Sequence, residues 1–228
     1  MLWYHGGFYT DIDTWERVSL KDCPPIVEAH GKDVGLMVGV ERDEPFFSWD
    51  EMKERGWSRG FGFGIGTVWA PRRFDPILRM AIVRSVSHAH VHQKLAGGDG
   101  WMASFKGTNK WEEEEGGEIS GAGMFTDIIM EVLSESLKEG HELRDRDAGL
   151  ERRVSWKKFK GLKRTLWIES SQAREGIDLR GIAVLPINVW SNGQNHSRSG
   201  TFEAEGACVN HIYGERPKKK EWYERLFG

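Results

Sequence analysis

An α/β fold is predicted by three observations. Residues 34–41 (VGLMVGVE) and 61–70 (FGFGIGTVWA) are short, apolar and rich in β-formers, the pattern of buried strands. Stretches at 76–95 and 126–139 carry helical signals bounded by Pro or Gly. Strand-like and helix-like runs then alternate along the chain, the order expected of an α/β domain.

From the N-terminus, residues 1–5 read as the last turn of an element closed by Gly6 and Gly7, which allow a tight turn into the short strand Phe8-Tyr9. After the strands 34–41 and 61–70, Pro71 and Pro76 punctuate the chain. Asp75 is suited to cap a helix that starts at Pro76 and reaches about Leu95. Residues 97–117 form a Gly-rich polar connection whose acidic run, Glu112 to Glu115, reads as solvated surface. In the helix 126–139, Ile129, Val132, Leu133 and Leu137 share one face, and Gly140 ends it. Residues 141–165 are highly charged and are expected to form a surface loop or short helix. Strands are expected at 166–169 and 182–189, and in the tail Trp222/Leu226 and Tyr223/Phe227 recur at helical spacing.

The 228 residues fit one domain, or one domain missing a piece, and 39% hydrophobic residues suffice for a core. A net charge of −3 with intermixed signs argues against a nucleic-acid binder, since the short run Lys218 to Lys220 reads as a solvated helix face. Eleven tryptophans are unusual at this length; most serve packing, and a few are suited to line a sugar site. Cys23 and Cys208 have no metal-ligand spacing, so they either pair in an oxidising compartment or stay buried thiols. No apolar run approaches the roughly 18 residues of a membrane span, and no signal-peptide pattern follows Met1.

The most informative segment is His5-Gly6-Gly7-Phe8-Tyr9-Thr10-Asp11-Ile12-Asp13-Thr14. In an extended backbone residues i and i+2 point to the same side, so Asp11 and Asp13 are expected to converge at the end of a strand. Two such carboxylates suit a hard divalent cation, Mn²⁺ or Mg²⁺. That ion can bridge a nucleotide diphosphate and stabilise the charge left as a sugar departs. An Asp-x-Asp tripeptide alone is common by chance, and the chain holds a second, Asp145-Arg146-Asp147, with no strand before it. The context G-G-F-Y-x-D-x-D distinguishes the first.

That context is similar to the G-G-x-Y-x-D-x-D signature of the DXD sugar-binding glycosyltransferases, a family that includes fungal initiation-specific alpha-1,6-mannosyltransferases and bacterial toxin glycosyltransferases. Residues 35–41 (GLMVGVE) resemble the strand after the metal site, and residues 63–78 the strand–Pro–helix unit, with Asp75-Pro76-Ile77-Leu78 in place of H-P-I-L. Residues 120–127 (SGAGMFTD) resemble T-G-P-x-x-F-T-D, and residues 184–197 (VLPINVWSNGQNHS) the C-terminal strand and Gly-His loop. Asn210-His211 stands where the family has a His before S-W-K, here replaced by Glu215-Arg216-Pro217-Lys218.

The resemblance implies a GT-A fold lacking its N-terminal strands, so that the chain is the C-terminal part of one catalytic domain. It also implies a nucleotide-sugar donor, GDP-mannose for the fungal branch, and retention of anomeric configuration. The acceptor would be an N-glycan or mannan, the location the Golgi lumen, and the membrane would be reached only through an upstream anchor. Asp13 would bind the metal directly, and Asp11 would meet the ribose or a metal-bound water. Gly6, Gly7, Tyr9, His196 and Ser197 would contact the donor, and His211 would complete the metal shell. Asp127 would hold acceptor hydroxyls, with Glu41 a further candidate of that kind. For the histidines and Asp127 the alternative is a purely structural role: hydrogen-bonded loop residues, and a carboxylate favoured by a helix dipole.

Two other readings compete. His88 and His92 lie at i, i+4 on the predicted helix, as in a zinc hydrolase, but Ala89 occupies the place of the general-base Glu. A sugar-nucleotide fold that has lost turnover is the third reading.

Overall fold

In chain order the elements are α1 (Leu2–His5), β1 (Gly7–Thr10), β2 (Thr14–Glu16), α2 (Pro24–Ala29), β3 (Val34–Asp43), α3 (Trp49–Glu54), β4 (Phe61–Ala70), α4 (Pro76–Leu95), α5 (Ala122–Ser136), β5 (Leu166–Ile168), β6 (Gly181–Leu185), α6 (Ile187–Trp190) and β7 (Val209–His211). The computed structural model describes residues 1–95, 121–146 and 152–211. The expectations for the 97–117 connection, Asp147, the 215–218 replacement and the C-terminal aromatic pairs lie outside these residues.

The strand order of the main sheet is β1-β4-β3-β6-β5. Only β3 and β6 run parallel; the other neighbours are antiparallel. The sheet is therefore mixed, as an α/β chain with both crossovers and direct returns allows. β3 lies at its centre, and the first seven residues of that strand are buried. Its alternation splits the core: Leu36, Val38 and Val40 face a cluster with Phe63, Phe125, Ile128 and Leu133 of β4 and α5. Met37 instead joins Ile26, Leu185, Trp190 and Val209 on the opposite face. One face is covered by helices, and the other by α2, α6 and the small sheet β2-β7.

The capping prediction at α4 matches the structure. The Asp75 carboxylate accepts from the amides of Ile77 at 2.9 Å and Leu78 at 3.2 Å, satisfying two donors of the first turn. Burial pushes its carboxyl up, opposed by these same hydrogen bonds. α5 starts earlier than the periodicity suggested, at Ala122, because Gly121 opens the helix and Thr126 is already inside it. The Thr126 hydroxyl accepts from the Phe63 amide at 2.9 Å and donates to the Ala122 carbonyl at 2.7 Å, fastening α5 to β4.

Two expectations need correction. The strand at 182–189 stops at Leu185, since Pro186 has no amide for the ladder and precedes the short α6. The stretch 141–165 is not simply surface: Leu143, Arg144, Asp145, Val154 and Phe159 are buried. Arg144 donates to the carbonyls of Ser134, Leu137, Lys138 and Arg152, so a charged residue serves as the closing cap of α5.

Cys23, just before α2, and Cys208, just before β7, form a disulfide with Cα atoms 5.6 Å apart. Among the described residues no helix is long and apolar enough to cross a membrane.

Candidate functional site

Asp11 and Asp13 flank a tight turn between β1 and β2, not an extended strand as expected. The Thr14 amide and hydroxyl both donate to the Asp11 carbonyl, at 3.2 and 2.7 Å, and fold the chain back after Ile12. The two carboxylates therefore converge through a turn rather than through strand alternation.

Asp11 is fixed from two sides. Its amide donates to the Gly66 carbonyl at 2.8 Å, extending the β1–β4 pairing by one residue. The Tyr9 hydroxyl donates to Asp11 Oδ1 at 2.6 Å. That bond to a carboxylate raises the Tyr9 phenol above its ordinary range. Gly66 has a steric reason to be glycine, since a Cβ there would lie 2.9 Å from Asp11 Oδ2.

The third member comes from the far end of the chain. β2 pairs with β7 so that Thr14 stands opposite His211, which brings the imidazole beside Asp13. His211 Nε2 lies 2.9 Å from Asp13 Oδ1. One ligand atom from each of Asp11, Asp13 and His211 falls within 4.8 Å of the others. Two carboxylates and one imidazole, with Asp13 exposed, form a donor set that fits a divalent cation such as Mn²⁺.

Gly6 and Gly7 set the entry to β1. Gly6 has φ 69°, and a Cβ on it would lie 2.9 Å from the Ala70 carbonyl oxygen. They act on backbone geometry, while Tyr9 reaches the carboxylates with its side chain.

A narrow cleft adjoins the cluster, lined by Gly39, Glu41, Gly64, Gly66, Trp190 and His211 among others. Burial pushes the Glu41 carboxyl above its usual range. Sequence reasoning passed over Gly64, Gly66 and Trp190. The signal for the glycines was present in the alternating F-G-F-G-I-G of β4, which leaves one strand face without side chains.

The remaining predicted residues have other partners. The Ser197 amide donates to Glu44 Oε1 at 2.7 Å, and its hydroxyl accepts from the Asp43 amide at 2.8 Å. His196 meets the Trp57 ring edge-on at 4.5 Å. Burial, then the charges of Arg55 and Arg42, push its imidazole down to about 4. Ser197 thus ties the 191–200 loop to the end of β3, and His196 packs the same loop against Trp57. Asp127 forms a two-pronged pair with Arg59, at 2.7 and 3.2 Å, on the exposed side of α5. His88 lies on α4 as expected, while the side chain of His92 is outside the described residues.

Over 223 residues the chain is 26% identical to an initiation-specific alpha-1,6-mannosyltransferase of Candida albicans, covering 93% of this chain and 50% of that protein. The chain is thus similar to a fungal glycosyltransferase at low identity. A second relative, in Saccharomyces cerevisiae, carries the provisional name glycosyltransferase HOC1; it is 25% identical over 162 residues, 71% of this chain and 35% of the relative. The chain thus spans half or less of the length of these relatives. No family model and no solved structure matches it.

Proposed function

We propose that this chain is the catalytic part of a retaining glycosyltransferase that moves a hexose, mannose from GDP-mannose, onto a glycan acceptor. The observation that carries this reading is the convergence of Asp11, Asp13 and His211 in a chain similar to a fungal alpha-1,6-mannosyltransferase. Asp13 and His211 would hold Mn²⁺, or Mg²⁺, and the single imidazole favours Mn²⁺. Such an ion supplies positive charge against a leaving diphosphate. Asp11, already oriented by Tyr9 and the Gly66 carbonyl, is set to accept from the ribose or from an ion-bound water.

Gly6 and Gly7 let the backbone approach the donor closely. His196 and Ser197 on the donor side, and Asp127 on the acceptor side, would share their present hydrogen-bond partners with ligand. The Cys23–Cys208 disulfide fits an oxidising compartment, as the Golgi lumen is.

The test is release of GDP from GDP-mannose with and without Mn²⁺, beside calorimetric binding of GDP and the zinc content of the purified protein. Mn²⁺-dependent GDP binding that disappears in Asp13→Ala is expected. Equal binding by Asp13→Ala and the wild type would remove the metal assignment, and stoichiometric zinc would return the chain to the hydrolase reading.

A further inference from the structure

β7 pairs with β2 over three residues, in a two-stranded sheet separate from the main one. Its other ladder contact among the described residues is the single bridge from Asn210 to Asn192. A two-stranded ladder is marginal on its own, and β2 adds little packing, since Trp15 and Glu16 are exposed. His211 meets Asp13 at the far end of this ladder, so their geometry depends on what fixes its foot.

The foot is Cys208. Its amide donates to the Val189 carbonyl of α6 at 2.9 Å, and its carbonyl accepts from the Arg17 amide, just past β2, at 2.9 Å. Its sulfur is bonded to Cys23 at the start of α2, so three segments meet at one residue. Both cysteines are fully buried, in the cluster that holds Ile26 and Ala29 of α2 and Met37 of the central strand. The disulfide therefore runs from the core beneath the main sheet to the base of β7. It is the covalent tie among these, and it enters three residues before His211, about 10 Å along an extended strand. A displacement of the foot passes directly to the imidazole.

We infer that the Cys23–Cys208 disulfide is a positioning element of the cation site, fixing the base of β7 and with it the place where His211 meets Asp13. This rests on the metal reading of Asp11, Asp13 and His211. Neither sulfur belongs to the converging donor set, so both cysteines act through another residue. Groups that hold a metal ligand in place from behind commonly change metal affinity by about 10- to 100-fold. Because the effect travels through His211, it vanishes when that imidazole is removed.

The experiment measures Mn²⁺ affinity by electron paramagnetic resonance of the free ion, with melting temperature and circular dichroism recorded beside it. Wild type, Cys23→Ala/Cys208→Ala, His211→Ala and the triple variant form a cycle. The cysteine pair is expected to lose affinity about tenfold while its circular dichroism stays native, and its gain in melting temperature with Mn²⁺ should shrink accordingly. In the His211→Ala background, removing the disulfide should cost less than about twofold more. Asp145→Ala, destabilised away from the site, should keep wild-type Mn²⁺ affinity.

Affinity of the cysteine variant within twofold of wild type overturns the inference. So do losses that multiply in the triple variant, or an equal loss in Asp145→Ala, since either would make the effect one of general stability. If the double variant fails to fold, wild type reduced with a phosphine and then freed of it decides on the same criteria, because the thiols keep the packing. Loss of the whole fold in both would assign the bond to the domain rather than the site, and would also overturn the inference. Absence of Mn²⁺ binding by the oxidised wild type would instead overturn the metal reading on which it rests.

Discussion

The tripeptides Asp11-Ile12-Asp13 and Asp145-Arg146-Asp147 space their carboxylates identically, yet Asp13 is exposed beside His211 whereas Asp145 is buried against Ser155. Around the first, the chain supplies a turn, a glycine that clears room and a histidine brought in from β7. Around Asp145 it supplies a serine hydroxyl donor to the side chain, while the backbone amide bonds the Arg153 carbonyl at 2.9 Å. One carboxylate keeps room for a ligand; the other is consumed by the fold. Spacing sets only the possibility, and the neighbours decide between chemistry and scaffolding.

Breaking each member should separate the two roles. The largest effect is expected from Asp13→Ala, which should lower Mn²⁺-dependent GDP affinity by about 100-fold or more, by removing a direct ligand. Its melting temperature should barely change, because the residue is exposed. Asp145→Ala should do the reverse. Loss of a buried hydrogen-bonded group costs about 1–3 kcal/mol, visible in urea unfolding, with GDP affinity intact. Equal effects of the two substitutions on binding would erase the contrast.

Gly66→Ala should come next. A Cβ 2.9 Å from Asp11 Oδ2 must push the carboxylate aside, so Mn²⁺ affinity should fall about tenfold while circular dichroism stays native. Tyr9→Phe removes only the hydroxyl that orients Asp11. A fivefold loss, about 1 kcal/mol, is the expected size in the same titration. If Tyr9→Phe proved more damaging than Gly66→Ala, orientation rather than space would be the limiting demand on Asp11.

The smallest effect concerns His196 and pH. Its folded-state value of about 4 lies below the unfolded value near 6.5, so the unfolded chain binds the extra proton between them. The stability linked to a neutral His196 is complete above pH 6.5 and is lost progressively as pH falls towards 4. His196→Gln should flatten that part of a urea-midpoint profile. A profile of unchanged slope would show that the ring is not held neutral by Trp57, Arg55 and Arg42.

The elements most legible in the sequence were those with local signals. Asp75 before Pro76 announced both a cap and a helix start, and the apolar run at 34–41 announced the central strand. The pairing of Cys23 with Cys208 was left open, because nothing in a sequence fixes which distant residues meet. Arg144 was unreadable for a related reason: a charged residue in a charged stretch looks solvated until the carbonyls it caps are in place. At the candidate site Asp11 and Asp13 stood out by context, and His211 by resemblance. The turn that makes the carboxylates converge depends on Thr14 reaching back to Asp11, which alternation arguments do not see.

Asp13 and His211 are 198 positions apart, and their meeting requires β2 to find β7. A contact of such long range is among the costliest for a chain to close before other structure is in place. A chain that has formed only its central sheet would therefore own two aspartates but no third ligand, and would hold an ion weakly. If the cluster takes Mn²⁺, ion occupancy becomes a proofreading signal for completed folding. At an ion concentration 100 times the dissociation constant, occupancy adds about 2.7 kcal/mol to the finished state alone. The same register that assembles the site would thus let the cofactor latch the two ends of the chain together.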